Sequence, residues 1–324
     1  RQMCIRDRWP YYGRYCDYVT RLGAVLTRGR HAADVAVFYP TTSMWKNFNP
    51  QAPGDGQGNT YKRMGPEGRF VLDGVNDVAQ ALMTRQIEFD FVDEPMLARA
   101  SVAGGKLRLN AEEFSTIVIP PTTMLRPEAV RTLREFARAG GKIVAVGLLP
   151  EETVDGTGAI AAWVKETWGR DPAESNRQAL AGDAPMALER RGAHTFLSAG
   201  PAPEGSKTAY REKLAAALVP ALTPDALIEA PRRDRFALHR RRAGNAEIFF
   251  LASLHDKPQD AAIKLPVEGY AEIWDVPTGE RRAIPGAPGD GFRHAFAPFE
   301  SIVVVVVPVL FLLNPSFCLI YRVP

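Results

Sequence analysis

Short, almost uninterrupted apolar runs alternate with amphipathic stretches through much of the chain. The strongest runs occupy residues 34–39, 89–92, 116–119 and 142–146. A strand that is apolar on both faces is buried on both faces, which is the usual state of parallel strands covered by helices. The alternation therefore predicts a doubly wound α/β domain, in which helices cover both faces of a parallel sheet.

The stretches between these runs carry apolar side chains at helical spacing. One predicted helix spans residues 75–85, and another follows Pro127 and ends before Gly140, since proline is tolerated in the first helical turn and glycine terminates helices. Further elements are predicted near residues 159–168 and 210–218, both helical, and near 194–197, a strand. We expect a flavodoxin-like α/β domain over residues 31–231.

From about Arg235 the pattern changes to an alternation of apolar and polar residues. Turn signals such as Pro277-Thr278-Gly279 separate the runs, which is typical of antiparallel strands with one buried face. The predicted strands are residues 236–238, 246–251, 262–265, 271–274 and 301–307. We therefore expect a small antiparallel β-sandwich domain over residues 232–307, with the domain boundary near Pro231.

A predicted helix near the start of the chain lacks an obvious partner. Tyr15, Tyr18, Leu22 and Leu26 lie at three- and four-residue spacing, before Gly29. A single amphipathic helix must bury its apolar face against another element. We interpret residues 9–30 as the terminal helix of a catalytic barrel that is missing upstream.

The two ends of the chain, residues 1–8 and 308–324, are predicted not to be part of the fold. Residues 1–8 are polar, lack the apolar segment of a secretory signal, and resemble the artefactual peptides found at the ends of metagenomic sequences. Residues 308–324 are apolar but are broken by Pro308, Asn314 and Pro315, whereas a membrane helix needs about 20 apolar residues. We expect an artefactual tail at 1–8, a read-through tail at 308–324 and no membrane anchor.

The composition points away from a nucleic-acid-binding protein and from a metal centre. The chain has 40 basic and 37 acidic side chains, a formal net charge of +3, and no long block of like charges, so a polyanion partner is not indicated. Its 3 cysteines and 5 histidines show no metal-ligand spacing. We expect no nucleic-acid partner and no metal.

The sequence lacks the catalytic and cofactor-binding motifs of familiar α/β enzymes. A dinucleotide-binding fold needs glycines directly after its first strand, but residues 40–53 contain none. The position of a nucleophile elbow reads Gly147-Leu148-Leu149-Pro150, and the acidic pairs at 93–94, 112–113 and 151–152 are predicted helix starts and turns. The sequence therefore predicts no cofactor and no catalytic residues.

One segment, residues 41–69, is predicted to be a long loop that leaves the carboxyl end of the first strand. Loops of this length are uncommon unless they are functional, and open α/β sheets bind ligands at this edge. Its aromatic and amide side chains suit a sugar, and the substrate-contact candidates are Trp45, Asn47, Phe48 and Tyr61. The alternative is an ordered loop that packs on a neighbouring domain.

Several segments together resemble a known class of enzymes. They include "ADVAVFYP" at residues 33–40, "FDFVDE" at 89–94, "FARAGGKIVAVG" at 136–147 and "EIWDVPTGE" at 272–280. These strings resemble the region after the catalytic barrel of large glycoside hydrolases, and they are most similar to family 106, the α-L-rhamnosidase-like enzymes. The family 42 beta-galactosidases are the second candidate.

The resemblance implies an accessory region of an exported glycoside hydrolase. The acid and base carboxylates of such enzymes belong to the TIM barrel, so we expect the parent protein to hydrolyse carbohydrate and this chain to lack the catalytic residues. The implied location is periplasmic or extracellular, and the implied partners are a carbohydrate substrate and the missing N-terminal barrel. A non-catalytic carbohydrate-binding or assembly module is the alternative.

Overall fold

The computed structural model describes residues 3–53, 60–156 and 160–308, and the side chains from Trp9 onward except that of Thr60. The described residues form two compact units. One, here called the α/β unit, comprises Ala33–Thr223; the other, here called the antiparallel unit, combines the residues up to Ala32 with those from Pro224 onward.

The helices are α1 (Met3–Leu26), α2 (Thr41–Lys46), α3 (Pro66–Met83), α4 (Glu94–Arg99), α5 (Pro127–Arg138), α6 (Ile160–Trp168), α7 (Pro172–Ala181) and α8 (Lys207–Leu218). The strands are β1 (Arg30–His31), β2 (Val35–Phe38), β3 (Phe89–Val92), β4 (Ser101–Ala103), β5 (Lys106–Leu109), β6 (Glu112–Phe114), β7 (Thr116–Ile119), β8 (Met124–Leu125), β9 (Lys142–Val146), β10 (Glu152–Thr153), β11 (Ala187–Arg191), β12 (His194–Ser198), β13 (Leu227–Glu229), β14 (Phe236–Ala243), β15 (Ala246–Ser253), β16 (Gln259–Lys264), β17 (Tyr270–Asp275), β18 (Arg281–Ala283), β19 (Phe292–Phe296) and β20 (Ser301–Val307). Short 3₁₀ helices occupy Thr60–Arg63, Val219–Ala221 and Arg233–Arg235.

The α/β unit is built on a six-stranded sheet in the order β11-β12-β9-β7-β2-β3. The five strands from β12 to β3 are parallel, and β11 adds an antiparallel edge. Apolar clusters cover both faces: one includes side chains of α4, α5 and α6, and the other includes side chains of α3 and α8. Burial on both faces explains why β2 is apolar throughout and β7 is apolar after Thr116.

Local sequence signals set the ends of several helices in this unit. Asp93 caps α4 by accepting a hydrogen bond from the Met96 backbone N–H at 2.8 Å. Pro127 opens α5, and Gly140 follows its end with φ +91°, a conformation that glycine adopts without strain. The strands predicted at 116–119 and 142–146 are confirmed.

The antiparallel unit contains a six-stranded sheet, β1-β14-β15-β20-β17-β18, and a three-stranded sheet, β13-β16-β19. A buried apolar cluster draws side chains from both sheets, including Phe249, Ile263, Phe296 and Val304. The predicted final strand, 301–307, is the fully buried β20. Its valines face two clusters, because alternate residues contribute to opposite faces of the sheet.

Helix α1 covers the second face of the six-stranded sheet. Tyr18, Leu22 and Val25 join the cluster formed by Trp274 and the odd-numbered valines of β20, and the Tyr18 hydroxyl lies 2.7 Å from Ser301 Oγ. The sequence predicts that the apolar face of this helix packs on a missing domain. Within this unit Tyr18, Leu22 and Val25 pack on the outer face of the sheet, because that face is itself apolar. Trp9, Tyr12 and Tyr15 stay exposed.

The boundaries of the two units differ from the predicted ones. Strand β13 pairs with β16 and β1 pairs with β14, so both ends of the α/β unit are flanked by strands of the antiparallel unit. The division falls at Thr223, whereas the predicted boundary was Pro231. Residues 309–324, all but Pro308 of the predicted tail at 308–324, lie outside the described residues, as do residues 1–2, whereas residues 3–8 of the predicted tail at 1–8 belong to α1. Among those that are described, no helix is long and apolar enough to cross a membrane.

The predicted long loop at 41–69 is wrong for most of its described residues. Helix α2 begins directly after Pro40, a 3₁₀ turn covers Thr60–Arg63, and α3 begins at Pro66. Helix α2 has only 6 residues, too few to show a helical repeat in the sequence. Residues 54–59, which include the glycines of this segment up to Gly58, lie outside the described part.

Candidate functional site

Polar side chains gather where β2, β3, β7 and β9 end, at the carboxyl edge of the parallel sheet. Open α/β sheets place ligands at this edge, because the loops that follow the strands meet there. We call one group of these side chains the carboxyl-edge cluster; it consists of Lys46, Glu67, Thr123, Glu151 and Glu152.

Ser43 anchors α2 to the segment that follows β7. Its hydroxyl donates to the Met124 carbonyl oxygen at 2.9 Å and accepts from the backbone N–H groups of Thr123 at 3.1 Å and Met124 at 2.9 Å. The Ser43 side chain is buried, and the bond from Thr123 is buried as well, so the three bonds together fix α2 in place. This anchor brings Lys46, at the end of α2, over the edge of the sheet.

Glu94 forms a second buried anchor at the same edge. Its carboxylate accepts hydrogen bonds from the Thr42 hydroxyl and, at 2.8 Å, from the Arg126 backbone N–H. The side chain is 1% exposed, and the Arg126 guanidinium lies 3.9 Å away. A buried carboxylate is tolerated when donors of this kind replace its hydration, so Glu94 ties together the segments that follow β2, β3 and β7.

In the carboxyl-edge cluster, Lys46 bridges two carboxylates. Its Nζ lies 3.0 Å from Glu152 Oε1 and 3.6 Å from Glu67 Oε1. Glu67 Oε1 also accepts hydrogen bonds from the Thr123 hydroxyl at 2.6 Å and from Asn47 Nδ2 at 2.9 Å. Since Thr123 is fully buried, the cluster has a fixed floor and an open rim formed by Lys46 and Glu152.

The cluster sets the pKa values of two of its glutamates in opposite directions. Burial opposes ionisation of Glu67, but the hydrogen bonds from Thr123 and Asn47 and the charge of Lys46 outweigh it and lower the pKa. Burial raises the pKa of Glu151, and Lys46 offsets this only in part. The pKa of Lys46 is raised, because its carboxylate partners outweigh its partial burial.

Such an arrangement suits binding of hydroxyl groups at its rim. Carboxylate oxygens accept hydrogen bonds from hydroxyls, and an ammonium group donates to them. Glu152 and Lys46 are partly exposed, and Trp45, the neighbour of Lys46, is 65% exposed. The end of α2 thus carries an exposed aromatic ring and a partly exposed ammonium group.

The four predicted contact residues occupy different environments. Trp45 is the only one with a largely free aromatic face, whereas Phe48 packs on the cluster formed by Met44, Met64 and Phe70. Asn47 Nδ2 donates to the Ser43 carbonyl oxygen at 3.0 Å as well as to Glu67. The Tyr61 hydroxyl donates to Asp73 Oδ2 at 2.8 Å. The role of all four in substrate contact stays a prediction.

Sequence reasoning missed Lys46, Glu67, Thr123 and Glu151. The signal that was available is the polar residue type directly after an apolar strand: Thr122 and Thr123 follow β7 after two prolines, and Glu151 follows the segment after β9. Glu67 gave no signal, because the helix that carries it was predicted to begin at residue 75. The predicted reading of Asp93 as a helix start is confirmed.

No protein-family model matches the chain, and no curated protein sequence is significantly similar to it. Solved structures do resemble it. A rhamnosidase from Novosphingobium sp. PP1Y superposes with a TM-score of 0.57 at 18% identity, over 91% of this chain and 24% of that protein. A beta-galactosidase from Bacillus circulans sp. alkalophilus gives 0.55 at 12% identity, over 90% of this chain and 44% of that protein.

A beta-galactosidase from Rahnella sp. R3 gives a TM-score of 0.50 at 14% identity, over 86% of this chain and 41% of that protein. The chain therefore spans less than half the length of each of these three proteins. At such low identity the likeness concerns the fold: this chain has the mixed α/β and antiparallel architecture of a region found in glycoside hydrolases.

Proposed function

We propose that the chain is an accessory region of a glycoside hydrolase of the α-L-rhamnosidase-like family 106, whose catalytic barrel lies outside it. The observation that carries the proposal is the match of 91% of this chain to only 24% of a rhamnosidase. The flavodoxin-like domain and the β-sandwich that the sequence predicts are part of the same proposal. The sheet order of the α/β unit and the two sheets of the antiparallel unit support them.

In this proposal the parent enzyme removes a terminal deoxysugar such as L-rhamnose from a polysaccharide, in the periplasm or outside the cell. The carboxyl-edge cluster and Trp45 contact the carbohydrate or the barrel. Aromatic faces stack on the apolar faces of sugar rings, and charged groups beside them bond the hydroxyls, so this edge has the chemistry for either contact.

Two alternative functions are considered for the chain. The beta-galactosidase likenesses support a family 42 parent equally in fold, with TM-scores of 0.55 and 0.50. A non-catalytic binding or assembly module is supported by the interior of the cluster, where Glu67 is held by Thr123, Asn47 and Lys46 rather than left free.

The first test is hydrolysis of nitrophenyl α-L-rhamnoside and nitrophenyl β-galactoside by the purified chain. We expect no turnover, because Glu67 is engaged by three partners and a glycosidase needs one carboxyl group on each side of the scissile bond. Glu67 and Glu151, with pKa values moved in opposite directions, are the residues to examine first. Turnover that disappears in Glu67→Gln or Glu151→Gln would show that the chain is itself catalytic.

A second test asks whether this edge contacts carbohydrate. Saturation-transfer NMR with a rhamnose-terminated oligosaccharide should show a signal that Trp45→Ala removes. Trp9→Ala is the matched control, because Trp9 and Trp45 are both 65% exposed. An equal loss in both variants would indicate nonspecific stacking and would contradict a site at Trp45.

A further inference from the structure

A second polar site lies at the opposite end of the α/β unit. Helices α5 and α6 border a solvent-open cavity of about 480 Å³, a volume within the range of small-molecule sites. The side chains of its lining that can interact with a polar ligand are Arg134, Arg138, Trp163, Glu166, Thr167 and His194. Arg138 ends α5, which precedes β9, and His194 begins β12, so the cavity lies near the amino ends of the parallel strands.

Two arginines on one face of α5 dominate the charge of this cavity. Arg134 and Arg138 are four residues apart, a spacing that places both on the same side of a helix. The Arg134 guanidinium lies 6.0 Å from the centre of the Trp163 ring, a contact that holds the group in a defined position. Arg138 is exposed and makes no ion pair within the part of the chain that the structure describes.

The remaining lining residues offer hydroxyl-binding groups. Thr167 is 6% exposed and Glu166 is exposed. His194 Nδ1 is buried without a hydrogen-bond partner among the described residues, and burial lowers the pKa of the ring. A neutral imidazole, a hydroxyl and a carboxylate can each bond a sugar hydroxyl.

We propose that this cavity binds a carboxylated monosaccharide, a uronic acid, with its carboxylate between Arg134 and Arg138 and its hydroxyls on Glu166, Thr167 and His194. The planar guanidinium group matches a carboxylate with two parallel hydrogen bonds. A cavity of about 480 Å³ is far larger than a simple inorganic anion needs, so a sugar-sized ligand fits it better. The inference does not rest on the function proposed above, since it concerns a separate site within this chain.

Calorimetric titration of the chain with sodium glucuronate tests the proposal. We expect saturable binding that Arg138→Gln weakens at least about tenfold, as loss of a charge-assisted pair does. Arg14→Gln is the matched control, because Arg14 is an exposed arginine on helix α1 that lines neither this cavity nor the adjoining one beside α5. Changes in the NMR chemical shifts of Thr167 and His194 during the titration should locate the binding site directly. The same shifts can be followed in Arg134→Gln if that variant binds too weakly for calorimetry.

Three results would overturn the proposal. One is the absence of both heat and shifts at Thr167 and His194 up to tens of millimolar glucuronate, a concentration that would reveal a dissociation constant of about 10 mM. Another is equal weakening by Arg14→Gln and Arg138→Gln, which would mean general attraction to a positively charged protein. The third is equal affinity for glucose or for inorganic sulfate, which would mean that the sugar or the charge alone is bound.

Discussion

The two ends of the sheet in the α/β unit carry opposite arrangements of charge. At the carboxyl edge Lys46 is paired with Glu67 and Glu152, and Glu94 is bonded by Thr42 and Arg126. In the cavity between α5 and α6, Arg138 has no carboxylate partner within the described chain. Charges that satisfy one another hold loops in place, whereas an arginine left without a counter-charge remains available to a ligand.

The carboxylate anchored at the carboxyl edge and the charged groups of the cavity also differ in burial. The Glu94 side chain is 1% exposed, and Thr123 is fully buried, so the network at the carboxyl edge replaces water with protein donors. Glu166 and Arg138 at the other end are exposed and retain their hydration. Removing the partners of a buried polar group destabilises the fold, whereas removing those of an exposed group has little effect on its stability.

The largest expected effect separates two glutamates, one from each end. Glu94→Ala should lower the free energy of unfolding by about 3 kcal/mol, because it leaves the Thr42 hydroxyl and the Arg126 N–H without their acceptor and opens a cavity. Glu166→Ala, at an exposed helical position, should change it by no more than about 0.5 kcal/mol. Urea denaturation measures both, and equal losses would show that the two ends do not differ as described.

An intermediate effect separates two glutamates within the carboxyl-edge cluster. The pKa of Glu67 is lowered in the folded chain, so its ionised form stabilises the fold above its unfolded pKa, and this is lost as pH falls through the folded value. The pKa of Glu151 is raised, so its stabilising effect is present in acid and is lost as pH rises through its folded value.

Glu67→Gln should therefore lower the melting temperature at pH 7 but not near pH 3, whereas Glu151→Gln should raise it at pH 7 relative to acid. Shifts of about 1–3 °C are expected for effects below 1 kcal/mol in a chain of this size. Glu152→Gln, whose side chain is 49% exposed, is the control. Scanning calorimetry between pH 3 and 7.5 decides the matter, and shifts of the same sign for Glu67→Gln and Glu151→Gln would contradict the opposite pKa changes.

The smallest expected effect concerns Trp45. Trp45 has 65% of its surface exposed, so Trp45→Ala should change the free energy of unfolding by about 0.5 kcal/mol or less. In the glycoside hydrolase proposed as the parent protein, the same substitution should lower kcat/KM. A loss of about 3 kcal/mol or more, as for a core aromatic, would make Trp45 a packing residue and remove it from the proposed site.

Much of the fold could be predicted from local pattern. The strands at 116–119, 142–146 and 301–307 were predicted at their observed positions, and α5 was placed by Pro127 and Gly140. Helix α7, the hairpin strands β4, β5 and β6, and the six-residue helix α2 escaped prediction. These elements are short or weakly amphipathic, so their own sequences show no clear repeat of apolar residues. They are buried by side chains of other elements, which their own sequences do not reveal.

Less of the candidate site could be predicted. The sequence predicts Trp45 and Asn47 as contact residues because they follow β2, and both lie at the carboxyl edge of the sheet. Lys46, Glu67 and Thr123 were not chosen, because their meeting depends on helix α2 being anchored through Ser43 to the segment after β7. That anchor joins residues about 80 positions apart, a separation over which one sequence shows no pattern.

The sequence by itself determined the positions of the strongly apolar strands and of helix α5, because the period of apolar residues follows backbone geometry. It also determined that the first part of the chain is α/β and the last part antiparallel. Only the tertiary structure decided where the face of α1 is buried, which glutamates pair with Lys46, and which arginines line a cavity. These properties depend on distances between groups far apart in the chain, and burial and electrostatic energies act through those distances.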